Sequence, residues 1–177
     1  VRVRGEKPFI LFLGRINWKK GLDRLIPAMK YVPGISLVIA GNDEENYRPQ
    51  LEKIAASSGV SERVQFIGPV YGGEKAALFA KAALFVLPSY SENFGNTVLE
   101  AMAAGCPVVV TPEVGLADAV QETGCGLVVK GDSEILGHAI QDLLSKPDLL
   151  KTMGEKGEAV VRERFTWEKV GRQMEQV

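Results

Sequence analysis

The chain has 177 residues, of which 46% are hydrophobic and 24% charged, with a formal net charge of -1. These values suit one domain that buries roughly 70% of its extended surface. They exclude the basic footprint of a nucleic-acid binder, and no apolar run approaches the ~18 residues of a membrane span.

The two cysteines, Cys106 and Cys125, stand in apolar surroundings at no metal-like spacing. They read as buried free thiols of a reducing cytoplasm. With one histidine and no Asp-x-Asp pair, no protein-built metal site is expected. The opening V-R-V-R-G-E-K-P has neither an initiator Met nor a secretory leader, so the chain reads as a segment of a longer protein.

The first element is P-F-I-L-F-L-G, an apolar run bounded by Pro8 and Gly14 that predicts a buried strand. The following R-I-N-W-K-K-G predicts a turn into a helix whose Leu22, Leu25, Ile26 and Met29 share one face. Arg15 and Lys20 stand together at the carboxyl end of the strand, where two cations can neutralise about two phosphate charges without a metal. Lys19 reads as a solvated neighbour and Trp18 as a packing residue of the loop.

S-L-V-I-A-G predicts a second strand, after which Asp43 or Asn42 can cap a helix carrying Leu51, Ile54 and Ala55. An acid at this place is how dinucleotide enzymes hold a ribose, but the loop after the first strand reads G-R-I-N-W rather than G-x-G-x-x-G. No G-x-x-x-x-G-K-[ST] phosphate loop occurs either. V-Q-F-I-G-P-V predicts a third strand leaving through Gly68 to Tyr71, and G-E-K-A-A-L-F-A-K-A a helix.

From Ala82 to Pro112 the only charges are Glu92 and Glu100. A-L-F-V-L-P predicts a buried strand, S-Y-S-E-N-F-G-N its carboxyl-end loop, T-V-L-E-A-M-A-A-G a helix and C-P-V-V-V-T the next strand. In open α/β sheets ligands bind at such loops. Gly95 lets the backbone come close to one, and the helix terminus after it attracts phosphate. Glu100, about one turn inside that helix, would repel phosphate and is aimed instead at neutral hydroxyls such as those of a ribose. Taken singly, Glu100 also fits as a partner of the helix dipole, and Glu92 as a solvated loop residue.

P-E-V-G-L-A-D-A-V-Q-E-T-G-C-G-L-V-V then predicts a loop, a short helix and a last strand. Asp132 is a candidate N-cap for a helix with Ile135, Leu136, Ala139, Ile140, Leu143 and Leu144 on one face. His138 falls off that face and reads as a surface residue. Pro147 ends this helix and a second follows. A third is expected from Thr166, running past the end of the chain.

The stretch S-E-N-F-G-N-T-V-L-E-A-M-A-A-G-C-P-V-V, with seven residues between its two glutamates, resembles the donor-site motif of the retaining, nucleotide-sugar-dependent glycosyltransferases. These are enzymes of two Rossmann-like domains (GT-B fold, glycosyltransferase group 1), and the motif belongs to the C-terminal one. G-R-x-x-x-x-K-G is similar to the same family's diphosphate loop, and the likeness runs roughly from Phe9 to Trp167.

The resemblance implies one doubly wound, mostly parallel α/β sheet with helices on both faces. It makes residues 1–177 a single donor-binding domain whose N-terminal acceptor domain is absent from the chain. Arg15, Lys20 and Glu92 become the catalytic set: the two cations take the diphosphate and Glu92 holds the sugar. Gly14, Val70, Phe94, Gly95, Asn96, Thr97 and Glu100 become donor-binding. Gly95 and Asn96 offer backbone N–H groups, Glu100 takes the ribose, and backbone just past the third strand holds the nucleobase.

No cofactor is implied beyond the nucleotide-sugar substrate. The other partner is an acceptor glycan, lipid or small molecule held by the absent domain, in a protein of the cytoplasm or the membrane periphery. The sequence departs from the family where Gly41-Asn42-Asp43-Glu44 replaces a glycine-bearing loop, where Leu116 and Asp118 replace a second glycine and a glutamate, and where Asn96 replaces a Leu- or Ile-like residue. No ligand role is carried onto the first of these loops. Two rival readings are a nucleotide-binding or regulatory module without chemistry, and half of a nucleotide-sugar epimerase, which would need acid–base side chains near the sugar.

Overall fold

The computed structural model describes Val3 and residues 8–165. Six strands form one wholly parallel sheet in the order β3-β2-β1-β4-β5-β6. They are β1 Phe9–Leu13, β2 Ser36–Ala40, β3 Val64–Gly68, β4 Ala82–Leu87, β5 Val108–Val110 and β6 Gly126–Val128. The inner strands match apolar runs of the sequence because a parallel strand covered on both faces can carry apolar side chains in both directions, whereas the edge strand β3, with Gln65, is half-buried throughout. Ile10, Leu11 and Phe12 on β1 and Phe85 on β4 are fully buried.

The helices are α1 Leu22–Ala28, α2 Arg48–Ser57, α3 Gly72–Lys81, α4 Asn96–Ala103, α5 Ala117–Thr123, α6 Ser133–Leu144 and α7 Pro147–Arg164. From β1 the chain steps outward to β2 and β3, then returns through α3 to β4 on the other side of β1 and continues to β6. Crossovers between parallel strands are right-handed, so this reversal moves the connecting helices from one face of the sheet to the other. α1 and α2 therefore cover one face, and α3, α4 and α5 the opposite one. α6 joins the first group by packing on α1, while α7 packs on α4.

The expected caps are present in two forms. Asp132 accepts from the N–H groups of Glu134 and Ile135 at α6. Asp43 accepts from those of Tyr47 and Arg48 at 2.7 and 3.0 Å, reaching the start of α2 from an earlier position than a standard cap. Pro147 opens α7 where its missing N–H costs nothing. His138 is exposed as expected, with its ring 4.8 Å from that of Tyr31.

Two expectations are corrected. Ile135 is 49% exposed and lies off the apolar face assigned to it. The buried stripe of α6 instead runs through Leu136, Gly137, Ile140 and Leu143, because a side chain on Gly137 would strike the Ala28 carbonyl of the packed helix α1. Trp18, expected to pack, is 54% exposed. The helix expected from Thr166 lies outside the described residues.

Candidate functional site

The strand order reverses between β1 and β4, and the carboxyl ends of these neighbours open the crevice where open α/β sheets take ligands. The loop after β1 and the loop after β4 are locked to each other there. Tyr90 donates its backbone N–H to Lys19 O at 2.8 Å. Gly21, at φ 68, lies so close to Pro88 O that any Cβ would overlap it. Only a glycine satisfies both the left-handed backbone and the close approach.

This junction brings Lys20 and Glu92, 72 positions apart, into a direct ion pair between Nζ and Oε2. Their side chains are only 16% and 20% exposed, so the pair is sheltered from much of the solvent screening that weakens surface bridges. Arg15, by contrast, is exposed and forms no ion pair among the described residues. Two of the three residues expected to do chemistry thus meet, and the third lies exposed nearby on the same loop.

A second junction holds the Glu92 loop from the other side. Glu92 N donates to Glu113 O at 3.1 Å and Gly115 N to Glu92 O at 2.8 Å, an isolated parallel bridge between the loops after β4 and β5. A Cβ on Gly115 would collide with the Asn93 carbonyl. Gly95 then turns at φ 98, and α4 begins at Asn96 with no side-chain cap on its terminus. The Asn96 and Thr97 N–H groups have no intrahelical carbonyl to reach and carry the positive end of the helix dipole. Phe94, beside them, is exposed, with its ring 6.4 Å from that of Phe165.

Gly14, Arg15 and Val70 line a cavity of about 180 Å³ between the ends of β1, β2 and β3. Gly41 and Asn42 line it too, although no ligand role was expected for their loop. Gly41 sits against Gly14 O with no room for a side chain. Tyr71, largely exposed, forms part of the rim. A larger hollow of about 540 Å³, lined by Arg48, Glu52 and Phe66, lies by the edge strand β3. It contains none of the expected site residues and stands away from the topological reversal.

Glu100 sits in the second turn of α4, where Lys75 of α3 donates to its Oε1 at 2.7 Å. Sequence reasoning missed Lys75. A signal was present: a cation in the first turn of a helix opposes the dipole and calls for a neighbouring anion.

Also missed was a cluster behind the Lys20 loop. The Tyr90 hydroxyl donates to Asp23 Oδ2 at 2.8 Å, and the Arg24 guanidinium lies 3.3 Å from the centre of the Tyr90 ring. Burial, and then the hydrogen bond to Asp23, push the Tyr90 hydroxyl above its ordinary pKa. The exposed Trp18 ring is 6.3 Å from that of Tyr90, which extends the aromatic surface to the crevice rim.

The family described as Glycosyl transferases group 1 matches residues 1–160. The chain is 31% identical to an uncharacterized glycosyltransferase of Methanocaldococcus jannaschii, over 98% of this chain and 45% of that protein. It is 34% identical to the GDP-mannose-dependent alpha-(1-6)-phosphatidylinositol monomannoside mannosyltransferase of Mycobacterium tuberculosis, over 93% of this chain and 45% of that one. Among solved structures it is similar to sucrose-phosphate synthase of Thermosynechococcus elongatus, at 33% identity and a TM-score of 0.86, over 97% of this chain and 44% of that one. The chain therefore spans less than half the length of each of these relatives.

Proposed function

The chain belongs to the group 1 glycosyl transferases, and on that premise we propose that it is the donor-binding half of a retaining enzyme that moves a sugar from a nucleoside-diphosphate sugar to an acceptor hydroxyl. One observation carries the reading. Lys20 and Glu92 are paired at the topological reversal, beside the uncapped N-terminus of α4.

In this reading the diphosphate lies between Arg15 and Lys20 on one side and the Asn96 and Thr97 N–H groups on the other. Opposed cations and helix dipoles are the means of stabilising charge on a leaving diphosphate. Gly14, Gly95 and Phe94 border its path. The nucleobase enters the 180 Å³ cavity beside Val70, and Glu100 accepts from the ribose hydroxyls. Glu92, relieved of Lys20 as the phosphate takes that cation, accepts from the sugar.

The bond from the anomeric carbon to the phosphate oxygen breaks while the acceptor oxygen bonds to that carbon from the same face. The leaving phosphate oxygen takes the acceptor proton. The acceptor itself would be held by a domain outside this chain, and the whole protein would work in the cytoplasm or peripherally at a membrane. Among the described residues no helix is long and apolar enough to cross one.

Thermal-shift titration against a panel of nucleoside diphosphates and their sugar conjugates tests the proposal. A donor domain gains stability from the sugar as well as the nucleotide. Equal protection by nucleotide and conjugate would favour a nucleotide-binding module without chemistry, and no protection by any of them would end the donor reading.

A further inference from the structure

Lys20 and Glu92 are assigned to different parts of the donor, yet they pair with each other. Once a diphosphate takes the Lys20 ammonium, that ion pair no longer fixes the distance between the two loops. The bridge of Glu92 to Glu113 and Gly115 ties its loop to the one after β5, not to Lys20. Tyr90 supplies the missing tie, for it meets the segment that carries Lys20 at two points. Its backbone N–H donates to Lys19 O at 2.8 Å, and its hydroxyl donates at 2.8 Å to Asp23 Oδ2 in the first turn of α1.

The Arg24 guanidinium covers one face of the Tyr90 ring, 3.3 Å from its centre, with Nη1 3.5 Å from Pro88 O. A side chain on Gly131 would strike that guanidinium, so the loop after β6 backs it from behind. Folding alone does not account for the polar groups gathered here. Asp23 Oδ1 and Ser89 Oγ are buried without a hydrogen-bond partner among the described residues, and such groups lower stability.

We propose that Tyr90 and Asp23 are positioning residues that hold Glu92 against the donor's sugar while Lys20 is engaged by the diphosphate. Glu92 follows Tyr90 closely in the chain, so a ring anchored on α1 fixes where the carboxylate stands relative to Lys20. Without the Asp23 bond the loop keeps its backbone tie to Lys19 but pivots about it, and sugar and diphosphate are no longer met together. The role rests on the donor reading above, since it acts through the contacts assigned to Lys20 and Glu92. It adds to that reading a determinant of how much the sugar tightens binding, placed on side chains that touch neither group of the donor.

The test is ligand-observed NMR titration of the 177-residue chain with UDP and GDP and with UDP-glucose and GDP-mannose. Tyr90→Phe keeps the ring beneath Arg24 and the backbone bond, and removes only the hydroxyl. It should raise the Kd of the sugar conjugate about fivefold and that of the bare diphosphate less than about twofold. Asp23→Ala should do the same. Asp23→Asn, whose amide oxygen still accepts from the hydroxyl, should stay within about twofold of the unaltered chain. In a Glu92→Gln background, Tyr90→Phe should have no further effect on the conjugate, since the two act as one unit.

Equal losses for diphosphate and conjugate would overturn the positioning role and leave the cluster as a prop of the fold. An unchanged conjugate Kd in Tyr90→Phe, or full additivity with Glu92→Gln, would overturn it as well. Failure of the underlying reading looks different. The unaltered chain itself would then bind no nucleoside diphosphate, or bind diphosphate and conjugate equally, and the donor assignment would fall first and take this role with it.

Discussion

Lys20 and Glu92 are paired with each other, and this decides how their substitutions should behave. Arg15→Ala should weaken nucleoside-diphosphate binding by roughly 1.5 to 3 kcal/mol and leave nucleoside binding nearly unchanged. Lys20→Ala should cost more, because it also leaves the Glu92 charge facing the phosphate, and adding Glu92→Gln should recover part of the loss. Glu92→Gln alone should spare the bare diphosphate and weaken only sugar-bearing ligands. Calorimetry on the four variants decides it, and equal losses for nucleoside and diphosphate would remove the cations from the phosphate site.

Cys106 makes a separate prediction. Burial pushes its thiol up from 9.0 to about 12. The unfolded chain ionises first, so the thiol's contribution to stability is full below pH 9 and lost as the pH rises toward 12. Cys125 is buried as well. Both thiols should resist alkylation in the native protein and react when denaturant unfolds it; rapid native labelling would contradict their burial.

Among the elements, the loops after β1, β4 and β5 form one rigid seam because glycines stand where carbonyls crowd the backbone. Gly115→Ala drives a Cβ into Asn93 O, and neither partner is a flexible side chain. It should cost about 1 to 3 kcal/mol and displace the Glu92 loop, lowering donor affinity together with Tm. An unchanged Tm and affinity would mean that the seam yields freely. Asp132→Ala, far along the chain at the cap of α6, should cost about 1 kcal/mol and leave affinity unaltered. The contrast separates seam from scaffold.

At this scale the sequence was legible wherever a local pattern decides the element. Apolar runs marked the strands, Asp132 marked a helix start, and Pro147 marked the break between the last two described helices. It misled where a neighbouring element decides the face. The close approach of α6 to Ala28 turned Ile135 outward, and nothing within the helix itself announces that contact.

On the proposed donor-binding reading, the described residues present one wall of a cleft. The chain is expected to fold, to bind a donor nucleotide weakly, and to transfer no sugar, since closure against a second wall is what excludes water and completes such a site. Contacts to one wall imply affinity nearer ~1 mM than ~1 μM, about 4 rather than 8 kcal/mol. Incubation with radiolabelled donors and mixed acceptors checks this, and robust transfer by the chain alone would show that the reacting centre lies elsewhere on it.

The sequence by itself determined the alternation of strand and helix, the buried thiols, and a set of candidate groups at carboxyl strand ends, because each is written in a run of neighbouring residues. It could not say which of those groups touch. The pairing of Lys20 with Glu92 and of Lys75 with Glu100, the entry of Gly41 and Asn42 into the cavity beside Val70, and the exposure of Trp18 were decided by the tertiary structure. Each depends on strand order and on how closely two backbones approach. Residues 72 positions apart along the chain become neighbours only after β4 has paired with β1.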